Sequence, residues 1–370
     1  MTKIEINNIL IRLSSKYNFK NILIGEIIDK YNESHRHYHT WDNHIVPMIE
    51  SITEDYKSNN FLYVITTGWD GKMSDKDKEL NDLIYDKLLL AAIFHDIIYD
   101  PKSKINEIMS VDFMLKLVSD DDIFNDVEDM ILSTIDHEFD SKRFEDIADL
   151  FIGYDLEILT KSFADLLKWE KQIQKEYSFV NWSEYKKERI KILTNLKSKQ
   201  IENININGID SLIDIIESTT PNVGIYAGSF DPFHIGHMDI LNKAENIFDK
   251  VIIAKGLNRK KDDNTYRWNS EFKKLKTLLP GNEVIQYQGL LIDVLKEQKD
   301  VNITLIRGLR NGYDLDAENT LTAFMKDMYP ELNIVYISSN KDLEHISSSA
   351  IREIRTYDEK LVEKYLPIKK

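Results

Sequence analysis

The stretch GIYAGSFDPFHIGHMDIL, from Gly224 to Leu241, decides the fold of the second half of the chain. It joins a short β-rich run to a segment of helical period through a Gly-Ser turn. Four further β-rich runs alternate with helical segments after it. The five runs are NVGIYAG, KVIIAKGL, NEVIQYQ, NITLIRG and LNIVYIS. This alternation predicts an α/β domain with a Rossmann-like, doubly wound parallel sheet.

The first half of the chain has a different pattern, because apolar residues recur there at spacings of three and four. DLIYDKLLLAAIFHDIIY, VEDMILSTIDHEF and SEYKKERIKILTNL are examples. We therefore predict two domains, an all-α domain over residues 1–205 and the α/β domain over residues 221–370. The segment 206–220, with a Gly, a short helix and Thr-Thr-Pro, is predicted to link them.

The composition excludes several classes of protein. A net charge of −15 over 370 residues argues against general affinity for nucleic acid, because such affinity comes from neutralising phosphates. The chain contains no cysteine, so disulfides and thiolate metal sites are excluded and a cytoplasmic, reducing setting is expected. We find neither a signal peptide nor an apolar run near the ~20 residues that span a bilayer, so no membrane partner is expected.

Groups suited to phosphate recur where the predicted strands end. His234 and His237 follow the first strand, at the start of a helix whose N–H groups face the same point. Two histidines at this spacing could also bind a metal or merely cap the helix. However, NRKKDD follows the second strand, IRGLR the fourth and ISSS the fifth. Since ligands bind beyond the carboxyl ends of such strands, these groups predict one shared anion site.

These motifs carry a family resemblance. GSFDPFHIGH resembles the signature of the HIGH-motif nucleotidyltransferases, and IRGLR, DLDAE and ISSSAIRE resemble the phosphopantetheine adenylyltransferase family over about residues 220–366. The resemblance implies transfer of AMP from ATP, with Mg²⁺, to 4′-phosphopantetheine, which yields dephospho-coenzyme A and pyrophosphate. Nicotinamide-mononucleotide adenylyltransferases share part of the pattern, so NAD synthesis is the alternative.

The resemblance also implies roles for individual residues. ATP would be bound by Gly228, Ser229, Phe230, His234, His237, Arg310, Asp314, Glu318, Ser347, Ser348 and Ser349. The phosphopantetheine would be bound by Ser229, Lys261, Leu290, Leu291 and Arg307, with Lys260 as the alternative to Lys261. His237, Ser229, Lys261 and Arg307 would act in catalysis. The attacking phosphate oxygen is already anionic, so alignment and charge neutralisation suffice without a general base.

Six of the nine histidines lie in the helical half, and His95 and Asp96 stand together in an apolar run. Burying both is costly unless they are paired or bind a metal, so a buried ion pair with surface histidines is the plain alternative. The segments YNESHRHYHTWDNHI and IFHDIIYDPKSKINEIMS resemble the HD superfamily of metal-dependent phosphohydrolases.

That second resemblance implies a divalent metal site in the helical half, for Mn²⁺, Fe²⁺, Zn²⁺ or Ni²⁺. The implied ligands are His44, His95, Asp96 and Asp155. His39 would be a catalytic proton donor or an alternative to His44 as ligand. The chain is thus expected to be a bifunctional enzyme, a transferase joined to a phosphohydrolase of unknown, nucleotide-like substrate. A non-catalytic HD module beside an active transferase is the alternative, and a homo-oligomer is expected.

Overall fold

The computed structural model describes residues 1–19, 24–65, 73–118, 123–137, 147–199, 201, 203–257 and 265–367. Two compact units divide the chain. One contains Met1–Glu176 and Ile190–Asp214, and the other contains Tyr177–Arg189 and Ile215–Lys370. Among the described residues, no helix combines the length and apolar character that a membrane crossing needs.

These units differ from the predicted domains in two places. The segment predicted as a linker is largely a helix, Ile206–Ser218, which buries Ile209 and Leu212 and is tied by the Asn205 N–H to the Leu159 carbonyl at 2.9 Å. Its residues up to Asp214 therefore belong to the helical unit.

The second difference is the segment Tyr177–Arg189, which belongs to the α/β unit although it precedes the predicted linker. The Ser178 hydroxyl donates to the Gly281 carbonyl, and the Lys250 ammonium donates to the Val180 carbonyl. Sequence periodicity cannot detect such an exchange, because it reports the type of an element and not the unit against which the element packs.

Every described regular element before Pro221 is helical, as the sequence predicts. The helices are α1 (Lys3–Lys16), α2 (Ile24–Tyr31), a π-helical turn at Trp41–Ile45, α3 (Val46–Lys57), α4 (Asn60–Ile65), α5 (Asp75–Phe94), α6 (Asn106–Leu117), α7 (Ile123–Ser133), α8 (Ile147–Asp155), a 3₁₀ turn at Glu157–Thr160, α9 (Phe163–Glu176), α10 (Trp182–Lys197) and α11 (Ile206–Ser218).

Helix α5 forms the centre of the helical unit. A reciprocal capping box between Ser74 and Asp77 satisfies its first N–H groups, and each of the residues from Leu88 to Phe94 is buried. It packs against α3, α7 and α8, whose apolar faces join the same core. Because α5 ends at Phe94, it delivers His95 and Asp96 to the edge of this core.

The α/β unit contains five parallel strands in the order β3-β2-β1-β4-β5, as predicted for a doubly wound sheet. The strands are β1 (Asn222–Gly228), β2 (Lys250–Gly256), β3 (Glu283–Tyr287), β4 (Asn302–Leu309) and β5 (Asn333–Ser338). The helices are α12 (Ile235–Glu245), α13 (Thr265–Leu278), α14 (Leu291–Glu297), α15 (Gly312–Met328), α16 (Ser348–Arg355) and α17 (Lys360–Glu363), with a 3₁₀ turn at Lys341–Leu343.

The sheet has an apolar core on each face, because its side chains alternate along every strand. Tyr226 and Ile253 pack with α12 and α13 on one face, while Ile225 and Ala254 pack with α14 and α15 on the other. The change of face falls between β1 and β4, which are paired neighbours. Ligands bind at such a switch point, beyond the carboxyl ends of the strands.

Candidate functional site

A cavity of about 420 Å³ opens at this switch point. Twelve of the residues predicted to bind substrates line it. They are Gly228, Ser229, Phe230, His234, His237, Arg307, Arg310, Asp314, Glu318, Ser347, Ser348 and Ser349. The ends of β1, β4 and β5 and the starts of α12, α15 and α16 thus surround one space. Buried apolar residues, such as Tyr226 and Ile240, also line the cavity.

Close packing of the turn after β1 brings the backbone to the cavity. A Cβ atom at Gly228 would lie 2.9 Å from the ring of Phe230, so a side chain there would force this ring to move. Phe230 itself is buried and has a left-handed φ of 44°, which is uncommon for a non-glycine residue. The Phe230 ring therefore packs directly against the backbone at Gly228.

His234 and His237 cap helix α12 reciprocally. The His237 N–H donates to His234 Nδ1 at 3.4 Å, and the His234 N–H donates to His237 Nδ1 at 3.3 Å. Each Nδ1 is therefore an acceptor without a proton, so the neutral ring carries its proton on Nε2. The two rings stack with centroids 3.6 Å apart. Both histidines can thus offer an Nε2–H donor to an anion.

Burial and nearby cations keep both rings neutral. Burial, together with the positive charge of Arg310, lowers the pKa of His234 to about 4. Burial also places the pKa of His237 well below its ordinary value, and His234, Arg310 and Lys255 add to this effect. An anion would therefore meet neutral donors here, with positive charge supplied by neighbouring residues.

The two predicted arginines are both held by predicted carboxylates. Arg307 makes a bidentate pair with Glu318, at 2.5 and 2.6 Å, and Arg310 makes one with Asp314, at 2.9 Å for both contacts. The Arg310 N–H also donates to Asp314. Bidentate pairing fixes the plane of a guanidinium group. The carboxylates, expected from the resemblance to surround ATP, thus orient the arginines.

The three serines lie where helix α16 begins. Ser347 is its N-cap and accepts the Ala350 N–H, the Ser348 hydroxyl donates to the Pro232 carbonyl at 3.0 Å, and Ser349 accepts from Arg352. Arg352 also donates to the Asp231 carbonyl. These bonds join the start of α16 to the turn after β1, so the two anion-binding helix starts are held together.

Two predicted substrate-binding residues, Leu290 and Leu291, are not among the described residues that line the cavity. Leu291 is buried in the core and Leu290 is half exposed at the start of α14. Lys261, with its alternative Lys260, lies outside the described residues. Sequence reasoning missed Lys255, a buried lysine on β2 that donates to the Ser229 carbonyl. Its position in a β-rich run gave no signal of a role at the site.

The helical unit holds a second cluster, formed by all four predicted metal ligands. His44 Nε2 lies 3.0 Å from His95 Nε2 and 3.1 Å from Asp155 Oδ1. Asp96 Oδ2 lies 3.2 Å from His95 Nε2 and 3.6 Å from His44 Nε2. His44 comes from the π-helical turn, His95 from the end of α5 and Asp155 from the end of α8. Their ligand atoms converge on one point.

The geometry of this cluster fits a cation. His95 Nδ1 lies 3.1 Å from the Ala92 carbonyl, which only an Nδ1–H can satisfy, so in the neutral ring the lone pair of Nε2 faces the cluster. Ligand atoms about 2.1 Å from one ion lie about 3.0 Å apart at right angles and about 3.4 Å apart in a tetrahedron. The observed spacings of 3.0–3.6 Å between ligand atoms match this range.

His137 supports the cluster from outside. Its Nε2 lies 2.8 Å from Asp155 Oδ2, while Asp155 Oδ1 faces His44 and His95. His137 therefore orients the carboxylate of a predicted ligand through its second oxygen. Such outer partners fix the direction of a ligand and strengthen its bond to a metal.

His39 lies beside the cluster, where it pairs with Glu176. His39 Nδ1 is 2.7 Å from Glu176 Oε2, and the same oxygen accepts the Tyr99 hydroxyl at 2.8 Å. Oε1 accepts the N–H groups of residues 37–39 at 2.7–3.0 Å. Burial would raise the pKa of Glu176, but His39 and these N–H groups outweigh it and lower the pKa to about 2. Glu176, far away in sequence, was missed.

Comparison with known proteins agrees with the fold and cavity of the α/β unit. The sequence model of the cytidylyltransferase-like family matches residues 225–354, from within β1 to near the end of α16. The cavity therefore lies in a nucleotidyltransferase domain of the cytidylyltransferase-like class.

Curated relatives indicate which family within this class the chain resembles. The phosphopantetheine adenylyltransferase of Buchnera aphidicola subsp. Schizaphis graminum is 39% identical over 148 residues, 39% of this chain and 88% of the relative. The enzyme of the same name from Porphyromonas gingivalis is 35% identical over 138 residues, 37% of this chain and 88% of the relative. That from Streptococcus equi subsp. zooepidemicus is 36% identical over 136 residues, 36% of this chain and 80% of the relative. Through its α/β unit, the chain belongs to the phosphopantetheine adenylyltransferase family.

A solved structure, the lipopolysaccharide core biosynthesis protein from Thermoplasma volcanium GSS1, is similar over 32% of this chain and 98% of its own. The sequence identity is 17% and the TM-score is 0.26.

Proposed function

We propose that the α/β unit transfers the adenylyl group of ATP to 4′-phosphopantetheine and releases dephospho-coenzyme A and pyrophosphate. One observation carries the proposal: donors from three strand ends and three helix starts line one cavity of about 420 Å³. Relatives named phosphopantetheine adenylyltransferase, 35–39% identical, support the choice of substrates.

The reaction needs alignment more than acid–base chemistry. An oxygen of the acceptor phosphate attacks the α-phosphorus, a new P–O bond forms, and the bond from this phosphorus to the bridging oxygen breaks. The electron pair leaves with pyrophosphate, so no proton has to move at the reacting atoms. The Nε2–H groups of His234 and His237 would donate to phosphate oxygens, and Arg307 and Arg310 would neutralise negative charge.

We expect Mg²⁺ to accompany ATP instead of being held by the protein. Among the described residues that line the cavity, the two carboxylates, Asp314 and Glu318, are already paired with arginines. This described donor set fits an anion and offers no unpaired carboxylate to a cation. When bound to ATP, Mg²⁺ would supply charge neutralisation on the phosphates.

The test is to incubate the full chain with ATP and Mg²⁺ and either 4′-phosphopantetheine or nicotinamide mononucleotide. Dephospho-coenzyme A and pyrophosphate are the expected products, resolved by chromatography. NAD as the product would overturn the choice of acceptor and leave the adenylyl transfer intact. The absence of both products, with the protein folded by circular dichroism, would refute the proposal.

For the helical unit we propose a metal-dependent phosphohydrolase of the HD type, acting on a nucleotide-like substrate. The ligand atoms of His44, His95 and Asp155 all lie within 4.8 Å of one another, which supports this proposal. Asp96 Oδ2 adjoins the two histidines, at 3.2 Å from His95 Nε2 and 3.6 Å from His44 Nε2. A divalent cation held by these residues would polarise a phosphoryl group and lower the pKa of water. His39, held by Glu176, would present its other nitrogen as the proton donor. Arg36 is occupied with the carbonyls of Asp96 and Ile97, which it holds at 2.7 and 3.0 Å.

The hydrolase proposal is tested by metal analysis and activity together. The chain, dialysed against Mn²⁺, Fe²⁺, Zn²⁺ or Ni²⁺, is expected to retain about one ion and to release phosphate or a nucleotide from a panel of nucleotides and coenzyme A precursors. Asp96→Ala should lose both properties. Retention of metal without hydrolysis of any panel member would favour a non-catalytic module, and no retained metal would refute the site.

The expected homo-oligomer remains a prediction. Light scattering of the full chain during size-exclusion chromatography measures it directly. A mass of 43.4 kDa would indicate a monomer and contradict the expectation.

A further inference from the structure

Lys255 is placed directly beside the turn that precedes the cavity. It lies near the carboxyl end of β2, and its residue partner on β1 is Gly228, where the turn begins. Side-chain alternation places Lys255 on the same sheet face as Val251 and Ile253, which pack with Phe230 and α12. Only 2% of its surface is exposed. An ammonium group is thus buried against the floor of the turn.

The ammonium group of Lys255 contacts the backbone of the turn after β1. Its Nζ donates to the carbonyl of Ser229 and, at 3.4 Å, to that of Phe230. Two successive peptide units of the turn therefore direct their oxygens to one buried ammonium. Burial of a charge is costly unless polar partners compensate for it, so loss of these two contacts would be energetically unfavourable.

This arrangement determines where the N–H of Phe230 points. The Ser229–Phe230 peptide bond is trans, so its N–H and C=O are directed to opposite sides. Since the Ser229 oxygen faces Lys255, the Phe230 N–H faces away from it, and both residues line the cavity. Within the described chain this N–H has no hydrogen-bond partner. The φ of 44° at Phe230 belongs to the left-handed conformations that make anion-binding nests.

We propose that Lys255 is a positioning residue of the nucleotide site, which holds the Ser229–Phe230 turn so that the Phe230 N–H is directed at a phosphate of ATP. The inference rests on the proposed adenylyl transfer for the identity of the ligand. Lys255 contacts the turn, and its charge reaches His237 as well, whose pKa it helps to lower. Lys255 thereby acts on two hydrogen-bond donors of the site, the Phe230 N–H and His237, although it is not among the described residues that line the cavity.

Strand β2 contains a matched control, Lys250, at its opposite end. Lys250 is also buried, with 8% of its surface exposed, and it pairs with Glu283 at 2.5 Å. It lies far from the switch point, because the carboxyl ends of parallel strands share one edge of the sheet. A general effect of removing a buried lysine should therefore be the same at both positions, whereas an effect on ATP should be confined to Lys255.

The experiment compares Lys255→Met with Lys250→Met in the full chain. ATP binding with Mg²⁺ is measured by calorimetry, together with kcat and KM of adenylyl transfer. We expect Lys255→Met to weaken ATP binding at least tenfold, whereas Lys250→Met stays within twofold of the unmodified chain. ATP binding by Lys255→Met within twofold of the unmodified chain would overturn the proposal, as would an equal loss in both variants.

Chemical rescue tests whether the loss of ATP affinity comes from the missing ammonium group and not from a change in the fold. The chain has no cysteine, so Lys255→Cys introduces a single thiol. Alkylation with bromoethylamine in denaturant, followed by refolding, rebuilds a side chain of lysine length with a terminal ammonium. We expect ATP affinity to return to within threefold of the unmodified chain treated in the same way. Failure of this rescue in a refolded protein, judged by circular dichroism, would contradict the proposal.

The outcomes also separate this inference from the proposed function. If the unmodified chain binds ATP but makes no dephospho-coenzyme A, the choice of reaction fails while the role of Lys255 is still read from ATP affinity. If the unmodified chain binds no ATP, the positioning role is refuted.

Discussion

Two histidine pairs, one in each unit, differ in what holds their rings. In the α/β unit, the Nδ1 atoms of His234 and His237 accept backbone N–H groups, so each ring directs an Nε2–H outwards. In the helical unit, His95 Nδ1 faces the Ala92 carbonyl, so the Nε2 of the neutral His95 ring directs a lone pair at His44 and the carboxylates. A ring nitrogen that donates suits an anion, and one that accepts suits a cation. For His234, His237 and His95, the role of Nε2 therefore depends on the backbone partner of Nδ1.

The largest effect is expected from a substitution in the histidine and aspartate cluster of the helical unit. His95→Ala removes the ligand whose lone pair is fixed by Ala92, so we expect the bound metal to be lost completely. Elemental analysis after dialysis measures this loss. Adenylyl transfer should stay within twofold of the unmodified chain, and circular dichroism serves as the control for folding. A variant that keeps a full equivalent of metal would contradict the assignment of His95 as a ligand.

The corresponding change in the α/β unit is His237→Ala. Removal of a donor aimed at the reacting phosphate typically costs 10²–10³ in rate, so we expect kcat/KM for adenylyl transfer to fall about a thousandfold. Steady-state kinetics measures the fall, and the metal content should be unchanged. A loss below tenfold would mean that His237 only caps helix α12.

The lowered pKa of His234 also makes the stability of the folded chain depend on pH. Its folded pKa of about 4 lies below the ordinary 6.5, so the unfolded chain binds the proton first as the pH falls. The stability that neutral His234 contributes is present above pH 6.5 and lost down to pH 4. A difference of about 2.5 units, at about 1.4 kcal/mol per unit, corresponds to about 3 kcal/mol.

Urea unfolding of the unmodified chain and of His234→Asn at pH 7 and pH 4 measures this effect. Asparagine keeps an oxygen that can cap α12 but does not titrate. The difference in the free energy of unfolding between the unmodified chain and His234→Asn should therefore change by about 3 kcal/mol from pH 7 to pH 4, to the disadvantage of the unmodified chain. A difference that is constant with pH would show that His234 has an ordinary pKa.

The smallest expected effect is that of His137→Ala. His137 orients Asp155 without being a ligand, and loss of such an outer partner typically costs 10–100-fold in metal affinity. We expect a loss of about tenfold, measured by competition with a chelator of known affinity. A complete loss, equal to that of His95→Ala, would make His137 a ligand and redefine the cluster.

The sequence was most informative where function depends on contiguous residues. The five strands and the donors after them could be predicted, because strand ends in a doubly wound sheet meet at one edge. Most of the twelve predicted residues that line the cavity lie at the end of a strand, in the turn after it or in the first turn of the next helix, and Glu318 lies further along α15. The proposed metal ligands are spread from His44 to Asp155, and the set could be proposed only from the family resemblance.

What could not be predicted depends on packing between distant segments. Glu176 lies 137 residues from His39, and the ring hydrogen bond between them has no counterpart in periodicity. The role of Lys255 depends on the sheet register that places it beside Gly228. Likewise, Asp314 and Glu318 were expected to surround ATP, but a sequence does not tell whether a carboxylate faces a ligand or an arginine.

The membership of Tyr177–Arg189 in the α/β unit has a consequence for how the chain can be divided. The polypeptide passes between units three times, after Glu176, after Arg189 and after Asp214. Proteolytic cleavage after Asp214 would therefore leave an amino-terminal fragment that carries a segment of the α/β unit, Tyr177–Arg189, in which Trp182 and Tyr185 are buried. The two fragments should complement one another in solution, and neither should behave as a complete autonomous domain.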